Sequence, residues 1–252
     1  MSIRITWWGH ATMLVEDGAR VLTDPVMTAP FRYLRRRAGI DPDPKSMRPD
    51  VVVISHLHGD HLHLPSLRRL PWGTLVVVPR GAGQLLADLK LTVQEVEVGD
   101  RVNVDGVRLT VVPAKHDGGR SRVSRVHGLA VGYLIEGAAA RTYFAGDTGR
   151  FDAMAELGPL DVALLPVAGW GPTLGSGDGH LDAKQAAEVL TWLRPKVAVP
   201  MHYGTFWPRF LWWYRPVRFE PPGEEFAEQA KLVAPDVDVR VLPPATSTVV
   251  EI

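Results

Sequence analysis

The feature that most constrains this chain is a cluster of metal-binding side-chain types directly after a predicted strand. The run Ser55-His56-Leu57-His58-Gly59-Asp60-His61 follows Val51–Ile54, an apolar, β-branched stretch typical of a strand that is buried on both faces. An extended backbone places His56 and His58 on the same face, so two imidazoles can bind one metal ion. The glycine after them permits a sharp turn that brings the next Asp and His towards a second position. Because the chain has no cysteine, a metal here has only nitrogen and oxygen ligands, which suit zinc, iron or manganese.

Three further candidate ligands lie just past other predicted strands. Each is a polar residue flanked by Gly or Pro, and a single residue of this kind is more often a turn residue than a metal ligand. Taken together they repeat one placement, which is what convergence of several strand ends on a common edge requires. The three are His116 after Val107–Val112, Asp147 after Thr142–Phe144, and His202 after Val197–Val199.

The remaining pattern indicates many short strands and a few helices. The strongest helix is Asp182–Leu193, because Asp182 and Gln185 match a capping box and apolar residues recur at helical spacing. The other predicted helices are Leu64–Leu70, Gly83–Leu89 and Phe226–Val233. The other predicted strands are Ile3–Trp8, Ala11–Glu16, Arg20–Leu22, Leu75–Val78, Val93–Val98, Arg101–Val104, Leu129–Glu136, Val162–Leu165, Val239–Leu242 and Thr248–Ile252. No Ser- or Gly-rich linker divides the chain, so we expect one α/β domain over residues 1–252, with two mixed sheets packed face to face and helices outside.

Composition removes several classes of protein. The chain is 46% hydrophobic and has a formal net charge of zero, which is unlike a disordered protein. It has no uncharged apolar run of about 18 residues and no basic, apolar start like that of a signal peptide, so we expect a cytoplasmic protein. Neutral charge also argues against nucleic acid as a partner, because such binding usually needs a basic surface.

The ordered ligand pattern resembles the metallo-β-lactamase superfamily. The resemblance rests on His-x-His-x-Asp-His, followed in order by a lone His, the Asp of Gly-Asp-Thr-Gly and a late Gly-flanked His. It covers about Trp8 to Gly204. The resemblance implies a four-layer αββα sandwich with two divalent cations at one edge of the sheets; we expect zinc, with manganese or iron as alternatives. Two such cations share a water and lower its pKa, so that it attacks the substrate. By resemblance, the first metal takes His56, His58 and His116, the second takes Asp60, His61 and His202, and Asp147 bridges them. From the chemistry of a water shared by two cations, we also expect Asp60 to act as a catalytic proton acceptor.

Three other motifs resemble a narrower branch, the N-acyl-phosphatidylethanolamine phospholipase D and ascorbate-6-phosphate lactonase group. They are Trp8-Gly9-His10-Ala11-Thr12, Thr23-Asp24-Pro25 and Gly179-His180-Leu181-Asp182. The resemblance implies hydrolysis of a phosphodiester or another phosphate-bearing small molecule or lipid, with a sugar-phosphate lactonase as the alternative. An iron-dependent redox enzyme is a third hypothesis. The related di-iron oxidases usually replace the second histidine of the hexapeptide with glutamate, whereas this chain keeps His58.

Three residues of these motifs are candidates for roles beside the metals. His180 opens the predicted helix, where we expect it to contact substrate or protonate the leaving group; the alternative is a helix residue that faces water. His10 lies in a turn, where we expect it to line the pocket. Asp24 is expected to accept a hydrogen bond from a ligand histidine, the alternative being a turn aspartate. His63, just beyond the hexapeptide, is interpreted as an exposed residue at a helix start.

Two basic, aromatic segments, residues 31–37 and 206–215, leave the predicted active edge. Arginines among aromatic residues suit an anionic group on an apolar body, so the predicted partner is an anionic small-molecule or lipid-like substrate. The sequence leaves open whether segment 206–215 is a substrate lid, a peripheral membrane contact or the interface of a homo-oligomer. The proposed substrate contacts are Arg120, Tyr203 and Trp207, with Arg122 and Arg125 as further nearby cations.

Overall fold

The computed structural model of the chain describes residues 1–28, 34–37, 39–121, 124–168, 179–208 and 221–252. Within these residues, no helix is both long enough and apolar enough to cross a lipid bilayer. A short 3-10 helix, Asp152–Glu156, accompanies the strands and α-helices. In chain order these are β1 Ser2–Gly9, β2 Thr12–Asp17, β3 Ala19–Thr23, β4 Leu34–Arg36, α1 Pro44–Met47, β5 Val51–Val53, α2 Leu64–Leu67, β6 Leu75–Pro79, α3 Gly83–Leu86, β7 Thr92–Val96, β8 Arg101–Val104, β9 Val107–Pro113, β10 Val131–Glu136, β11 Arg141–Phe144, β12 Leu160–Pro166, α4 Ala183–Leu193, β13 Pro195–Met201, β14 Phe206–Pro208, α5 Pro221–Val233, β15 Asp238–Val239 and β16 Thr246–Glu251.

The strands form two mixed sheets of seven strands each, in the orders β16-β1-β2-β3-β5-β6-β7 and β15-β13-β12-β11-β10-β9-β8. The two sheets repeat one plan. In the first, β1, β2 and β3 are antiparallel and β3, β5, β6 and β7 are parallel. In the second, β8 to β11 are antiparallel and β11, β12, β13 and β15 are parallel. A separate two-stranded antiparallel ribbon joins β4 to β14.

Alternate side chains of the parallel strands belong to two different apolar cores. On β5, Val51 and Val53 lie in a large core that also contains residues of the second sheet. Val52 and Ile54 point the other way, into a second core that contains residues of α1, α2 and α3. On the second sheet, α4 packs against β12 and α5 against β13. The helix–sheet–sheet–helix layering predicted from the sequence is therefore confirmed.

The helix α4 begins and ends where its sequence dictates. The side chain of Asp182 accepts a hydrogen bond from the Gln185 amide, and the Gln185 side chain accepts one from the Asp182 amide, which completes the predicted capping box. Arg194 ends the helix in the left-handed conformation, and Pro195 starts the next strand. A capping interaction of this kind is worth about 1 kcal/mol.

The two sheets are joined by hydrogen bonds beside the loop that follows β5. The buried hydroxyl of Tyr133, on β10, donates to the carbonyl oxygen of Ile54 at 2.9 Å. The amide of Val131 donates to the carbonyl oxygen of Ser55, also at 2.9 Å. The start of the histidine-rich loop is thus fixed to both sheets.

Several elements differ from the sequence-based predictions. The helices expected over Leu64–Leu70 and Gly83–Leu89 end at Leu67 and Leu86, because the chain continues in tight turns with i→i+3 hydrogen bonds. The strand expected over Val239–Leu242 is instead the pair Asp238–Val239. Two prolines follow closely, and proline cannot donate a hydrogen bond to a neighbouring strand.

Candidate metal centre

The first histidine cluster joins loops from the two sheets. His56 and His58 lie on the loop after β5, and His116 lies on the loop after β9. The Nε2 atom of His56 is 3.0 Å from Nδ1 of His58, and Nε2 of His116 is 3.2 Å from that same atom. One ring nitrogen from each residue therefore converges on one point, with all three within 4.8 Å of one another.

The second cluster lies beside the first and contains His10, Asp60, His61 and His202, again with donor atoms within 4.8 Å of one another. The Nε2 atoms of His61 and His202 are 3.2 Å apart. Nε2 of His10 is 3.3 Å from Oδ2 of Asp60, and the His10 ring lies 4.1 Å from that of His202. His10 was expected only to line the pocket, whereas its ring nitrogen belongs to this cluster.

Asp147 lies between the two clusters. Its Oδ2 is 3.2 Å from Nε2 of His61 and 3.8 Å from Nε2 of His56, and its Oδ1 is 3.2 Å from Nε2 of His202. The carboxylate is 3% exposed, and Oδ1 makes no hydrogen bond with any described residue. A buried carboxylate oxygen that lacks a hydrogen bond but faces imidazole nitrogens is the arrangement expected where a cation binds.

Asp24 fixes the orientation of two of the histidines. Nδ1 of His61 is 2.7 Å from Oδ2 of Asp24. The Ser55 hydroxyl donates to the same oxygen at 2.5 Å, while Nδ1 of His56 lies 3.0 Å from the Ser55 hydroxyl oxygen. Since that hydroxyl uses its hydrogen on Asp24, it accepts from the His56 ring. Both rings therefore carry a proton on Nδ1, which leaves Nε2 to face the cluster.

His116 is oriented in the same way by a backbone group. Its Nδ1 is 2.9 Å from the carbonyl oxygen of Gly179, so its Nε2 also faces the cluster as a lone pair. Nε2 of His56 and Nε2 of His116 both face Nδ1 of His58, at 3.0 and 3.2 Å. That atom has at most one hydrogen to donate, whereas a shared cation satisfies all three nitrogens. The donor set of imidazole nitrogens and carboxylate oxygens fits zinc, manganese or iron.

The electrostatics favour the protonation states that metal ligands need at His56, His202 and Asp147. Burial lowers the pKa of His56 and of His202 well below the usual value. Burial alone would raise the pKa of Asp147, but the surrounding histidines, His202 first, outweigh it and hold that pKa well below its usual range. Neutral imidazoles and an ionised carboxylate are the forms that bind metal. His61 differs: burial alone would lower its pKa, but the Asp147 and Asp24 carboxylates outweigh burial and raise that pKa well above its usual value.

Three residues of the site have left-handed backbone conformations that are costly for residues other than glycine. They are His10 with φ 53°, Asp24 with φ 35° and His202 with φ 64°. The amide of His202 donates to the carbonyl oxygen of His10 at 2.9 Å, so a hydrogen bond connects two of these strained turns. Such strain is retained where a fixed geometry is needed.

His180 lies at the open side of the centre. Its Nδ1 is 3.7 Å from Oδ2 of Asp147, its ring is 4.6 Å from that of His116, and its side chain is 18% exposed. Its pKa is lowered, and the main cause is burial. The ring is therefore neutral at pH 7, and its N–H group can donate a hydrogen bond.

Tyr203 and Trp207 are the two aromatic residues predicted to contact substrate. The Tyr203 ring stacks on Trp7 with centroids 4.9 Å apart and is only 8% exposed, so it is part of the core between the sheets. A buried, stacked ring leaves little surface for a ligand, and a contact of Tyr203 with substrate stays a prediction. Trp207 lies on β14, but its side chain is outside the described part of the chain, as are residues 31–33, 122 and 209–215.

The guanidinium of Arg120 contacts the ligand loop itself. Its Nη1 donates to the carbonyl oxygens of Leu57 and Leu62 at 2.9 and 2.7 Å. A contact with substrate remains a prediction for this residue, whereas its contact with the loop backbone was not foreseen. His63 also differs from expectation, because it is 5% exposed rather than on the surface. Its Nδ1 is 2.7 Å from the hydroxyl oxygen of Ser66, at the start of α2.

Arg36 is a further residue that sequence reasoning missed, since it was assigned to a basic loop. Its nearly buried guanidinium donates to the carbonyl oxygens of Trp8 at 3.0 Å and Val26 at 2.7 Å. It also lies 5.0 Å from the centre of the Phe206 ring, which makes an edge contact with His10. The ribbon of β4 and β14 is thereby attached beside the second cluster.

Comparison with known proteins agrees with this architecture. A family model described as the beta-lactamase superfamily domain matches residues 19–203. A UPF0173 metal-dependent hydrolase of Methanopyrus kandleri is 34% identical over 252 residues, which cover 97% of this chain and 99% of that protein. An N-acyl-phosphatidylethanolamine-hydrolyzing phospholipase D 1 of Caenorhabditis elegans is 31% identical over 230 residues, which cover 80% of this chain and 64% of that enzyme.

A solved structure extends the likeness to the whole chain. Igni18, a metallo hydrolase from Ignicoccus hospitalis, superposes with a TM-score of 0.75 at 27% identity, and the match covers 100% of both chains. The resemblance inferred from the motifs is thus confirmed at the level of sequence and of fold. The chain belongs to the metal-dependent hydrolases of the β-lactamase superfamily.

Proposed function

We propose that this chain is a phosphodiester hydrolase that works with two divalent cations, zinc in the first instance. The observation that carries the proposal is the position of Asp147, whose carboxylate lies within 3.8 Å of ring nitrogens from both clusters. One carboxylate between two convergent donor sets is the arrangement that a pair of cations needs. The proposed ligands are His56, His58 and His116 for one cation, Asp60, His61 and His202 for the other, and Asp147 for both.

When bound, the cations would acidify a water shared between them and polarise the phosphoryl oxygen under attack. The protein's own groups would supply orientation and proton transfer. Asp24 and Ser55 keep the ligand histidines in one tautomer through the hydrogen bonds to their Nδ1 atoms. Asp60, which is ionised because His10 and the other histidines outweigh its burial and lower its pKa, is proposed to accept the proton of the attacking water.

His180 is proposed to act on the leaving group. As attack proceeds, the bond from phosphorus to the leaving oxygen breaks, and that oxygen gains negative charge that must be stabilised or protonated. The neutral His180 ring lies next to Asp147 and is partly open to solvent, so its N–H can donate to an oxygen that enters from that side. Such a donor strengthens its interaction as charge develops, which lowers the barrier.

The substrate class is supported by the activity of one relative. The enzyme from Caenorhabditis elegans hydrolyses N-acyl-phosphatidylethanolamine, and it is 31% identical to this chain. This supports a phosphodiester as the reacting group. The chain covers 64% of that enzyme, so the proposal extends to the reacting group and not to that lipid.

The experiment is an assay of protein stripped of metal and then reloaded. We expect hydrolysis of bis-p-nitrophenyl phosphate to return with zinc or manganese and to reach a plateau at about two equivalents. Asp147→Asn should lose at least about 100-fold in kcat/KM and bind fewer cations, because it removes the shared carboxylate. Asp161→Asn is the matched control, since Asp161 pairs at the surface with Lys196.

A second variant and a second substrate class sharpen the test. His180→Asn should lower kcat while the metal content stays unchanged. If no phosphodiester is turned over with any of these metals while a sugar-phosphate lactone is opened, the proposed reaction is wrong and the site serves carbonyl chemistry instead.

A further inference from the structure

We propose that Arg120 is a positioning residue that fixes the loop carrying the ligand histidines and so sets the affinity of the site for metal. The inference rests on the proposed function, because it assumes that the two clusters bind cations. It assigns to Arg120 a role that acts through the ligands and not through substrate.

The contacts of the guanidinium place it across the loop. Its Nη1 atom donates to the carbonyl oxygen of Leu57 at 2.9 Å and to that of Leu62 at 2.7 Å. Nη1 carries two hydrogens, so these two bonds use both of them. The two carbonyl groups bracket the segment 58–61, which holds three of the proposed ligands. One side chain therefore fixes the distance between the two ends of this segment.

The segment that presents Arg120 begins at another proposed ligand, His116. The amide of Leu57 donates to the carbonyl oxygen of Gly118 at 3.2 Å, and the amide of Arg120 donates to that of Val126, also at 3.2 Å. A Cβ atom on Gly118 would overlap the backbone of Gly128 and its neighbours, so the two arms of this segment lie in direct backbone contact. The guanidinium is thus offered from a well-defined backbone, and it connects the two loops that form the first cluster.

The other side of the ligand segment is fixed by packing. The side chains of Leu57 and Leu62 are both 0% exposed and belong to the apolar core beneath the helices of the first sheet. Their carbonyl oxygens accept from Arg120, so the backbone is held by side-chain packing on one side and by hydrogen bonds on the other. Without the guanidinium, two carbonyl groups lose a charged donor, and the spacing of the histidines and Asp60 is free to change. Groups that orient metal ligands typically contribute a factor of 10 to 100 to metal affinity.

The test compares three variants of the full-length protein. Arg120→Met keeps much of the aliphatic stem but has no donor, and Arg120→Lys keeps the charge but not the planar fork. Arg69→Met is the matched control, because Arg69 also donates from Nη1 to a backbone carbonyl oxygen, that of Met27 at 2.8 Å, which lies outside the ligand segment. The dissociation constant for zinc is measured by competition with a chromophoric chelator. The unfolding midpoint of each metal-free protein and the visible spectrum of its cobalt form are recorded alongside.

We expect zinc affinity to fall 10- to 100-fold in Arg120→Met and by a smaller factor in Arg120→Lys, with a change in the cobalt spectrum that reports altered ligand geometry. Arg69→Met should bind zinc as the wild type does. If Arg120→Met lowers the unfolding midpoint of the metal-free protein but leaves zinc affinity within about twofold of wild type, Arg120 is only structural and the inference is wrong. If Arg120→Met fails to fold, the same comparison of zinc affinity and metal-free unfolding midpoint is made with Arg120→Lys. If the wild type itself binds no zinc, manganese or iron, the proposed function is wrong, and the inference falls with it. If the wild type binds metal and Arg120→Met binds it equally well, only the inference is wrong.

Discussion

Replacing Asp24 by asparagine removes the charge that orients two ligand histidines and leaves the side-chain shape almost unchanged. The Asp24 carboxylate accepts three hydrogen bonds, from the Ser55 amide at 2.7 Å, the Ser55 hydroxyl at 2.5 Å and His61 Nδ1 at 2.7 Å. An asparagine offers one oxygen and one NH2 group, so at least one of the three donors will face another donor. A hydrogen bond to a charged group is worth about 1.5–3 kcal/mol, but part of that loss also occurs in the metal-free protein and cancels in the binding equilibrium.

For Asp24→Asn we expect the dissociation constant for zinc to rise 10- to 100-fold, which corresponds to a loss of about 1.4–2.7 kcal/mol of binding free energy. The measurement is chelator competition on metal-free protein, combined with urea denaturation to follow stability separately. Asp17→Asn is the control, because Asp17 is a buried carboxylate that accepts from the amides of Ala139 and Ala140, away from the site. The control should lose stability and keep its zinc affinity. Zinc affinity of Asp24→Asn within twofold of wild type, in a folded protein, would refute the argument that Asp24 orients the ligands.

Three other predictions concern stability. Burial, followed by the nearby Arg120 charge, lowers the pKa of His63 from 6.5 to about 4. The unfolded chain therefore takes up this proton first as pH falls from 6.5 to 4, which costs the folded state about 2 kcal/mol at pH 5. His63→Gln should lose this part of the pH dependence in urea denaturation at pH 7 and pH 5. Asp182→Ala removes the cap of α4 and should lower the free energy of unfolding by about 1 kcal/mol, and an unchanged urea midpoint would contradict that role. Gly118→Ala should cost about 1–3 kcal/mol or more by forcing a methyl group against the Gly128 backbone; a thermal midpoint equal to that of wild type would show that the segment yields without cost.

The layered architecture and the gathering of the polar residues were predictable because their signals are local. Val51–Val53 is a continuous β-branched run, and polar residues follow it and other strands at one end. The capping box of α4 is visible in four consecutive residues. Each of these features depends on neighbours in the sequence, so propensity and periodicity are enough to find it.

The features that were missed depend on contacts between distant parts of the chain. Strand β4 pairs with β14, about 170 residues further on, and neither sequence contains a pattern that predicts this pairing. The same holds for Arg36, whose buried position is set by carbonyl groups of Trp8 and Val26. Ser55 is a partial exception. Its position immediately before His56 and after a buried strand was a signal, but its use as a link to Asp24 follows only from the fold.

The hydrogen bond from Tyr133 to the Ile54 carbonyl oxygen has a consequence for how mutations far from the centre are interpreted. Four of the proposed ligands belong to a loop of the first sheet, and the other three belong to loops of the second. Cations bound between these loops would act as cross-links, and the affinity of the site for metal would depend on how closely the two sheets pack together. A substitution such as Tyr133→Phe, which touches none of the donor atoms, would then register as weaker metal retention, and saturating metal would in turn protect the sandwich against separation of its halves.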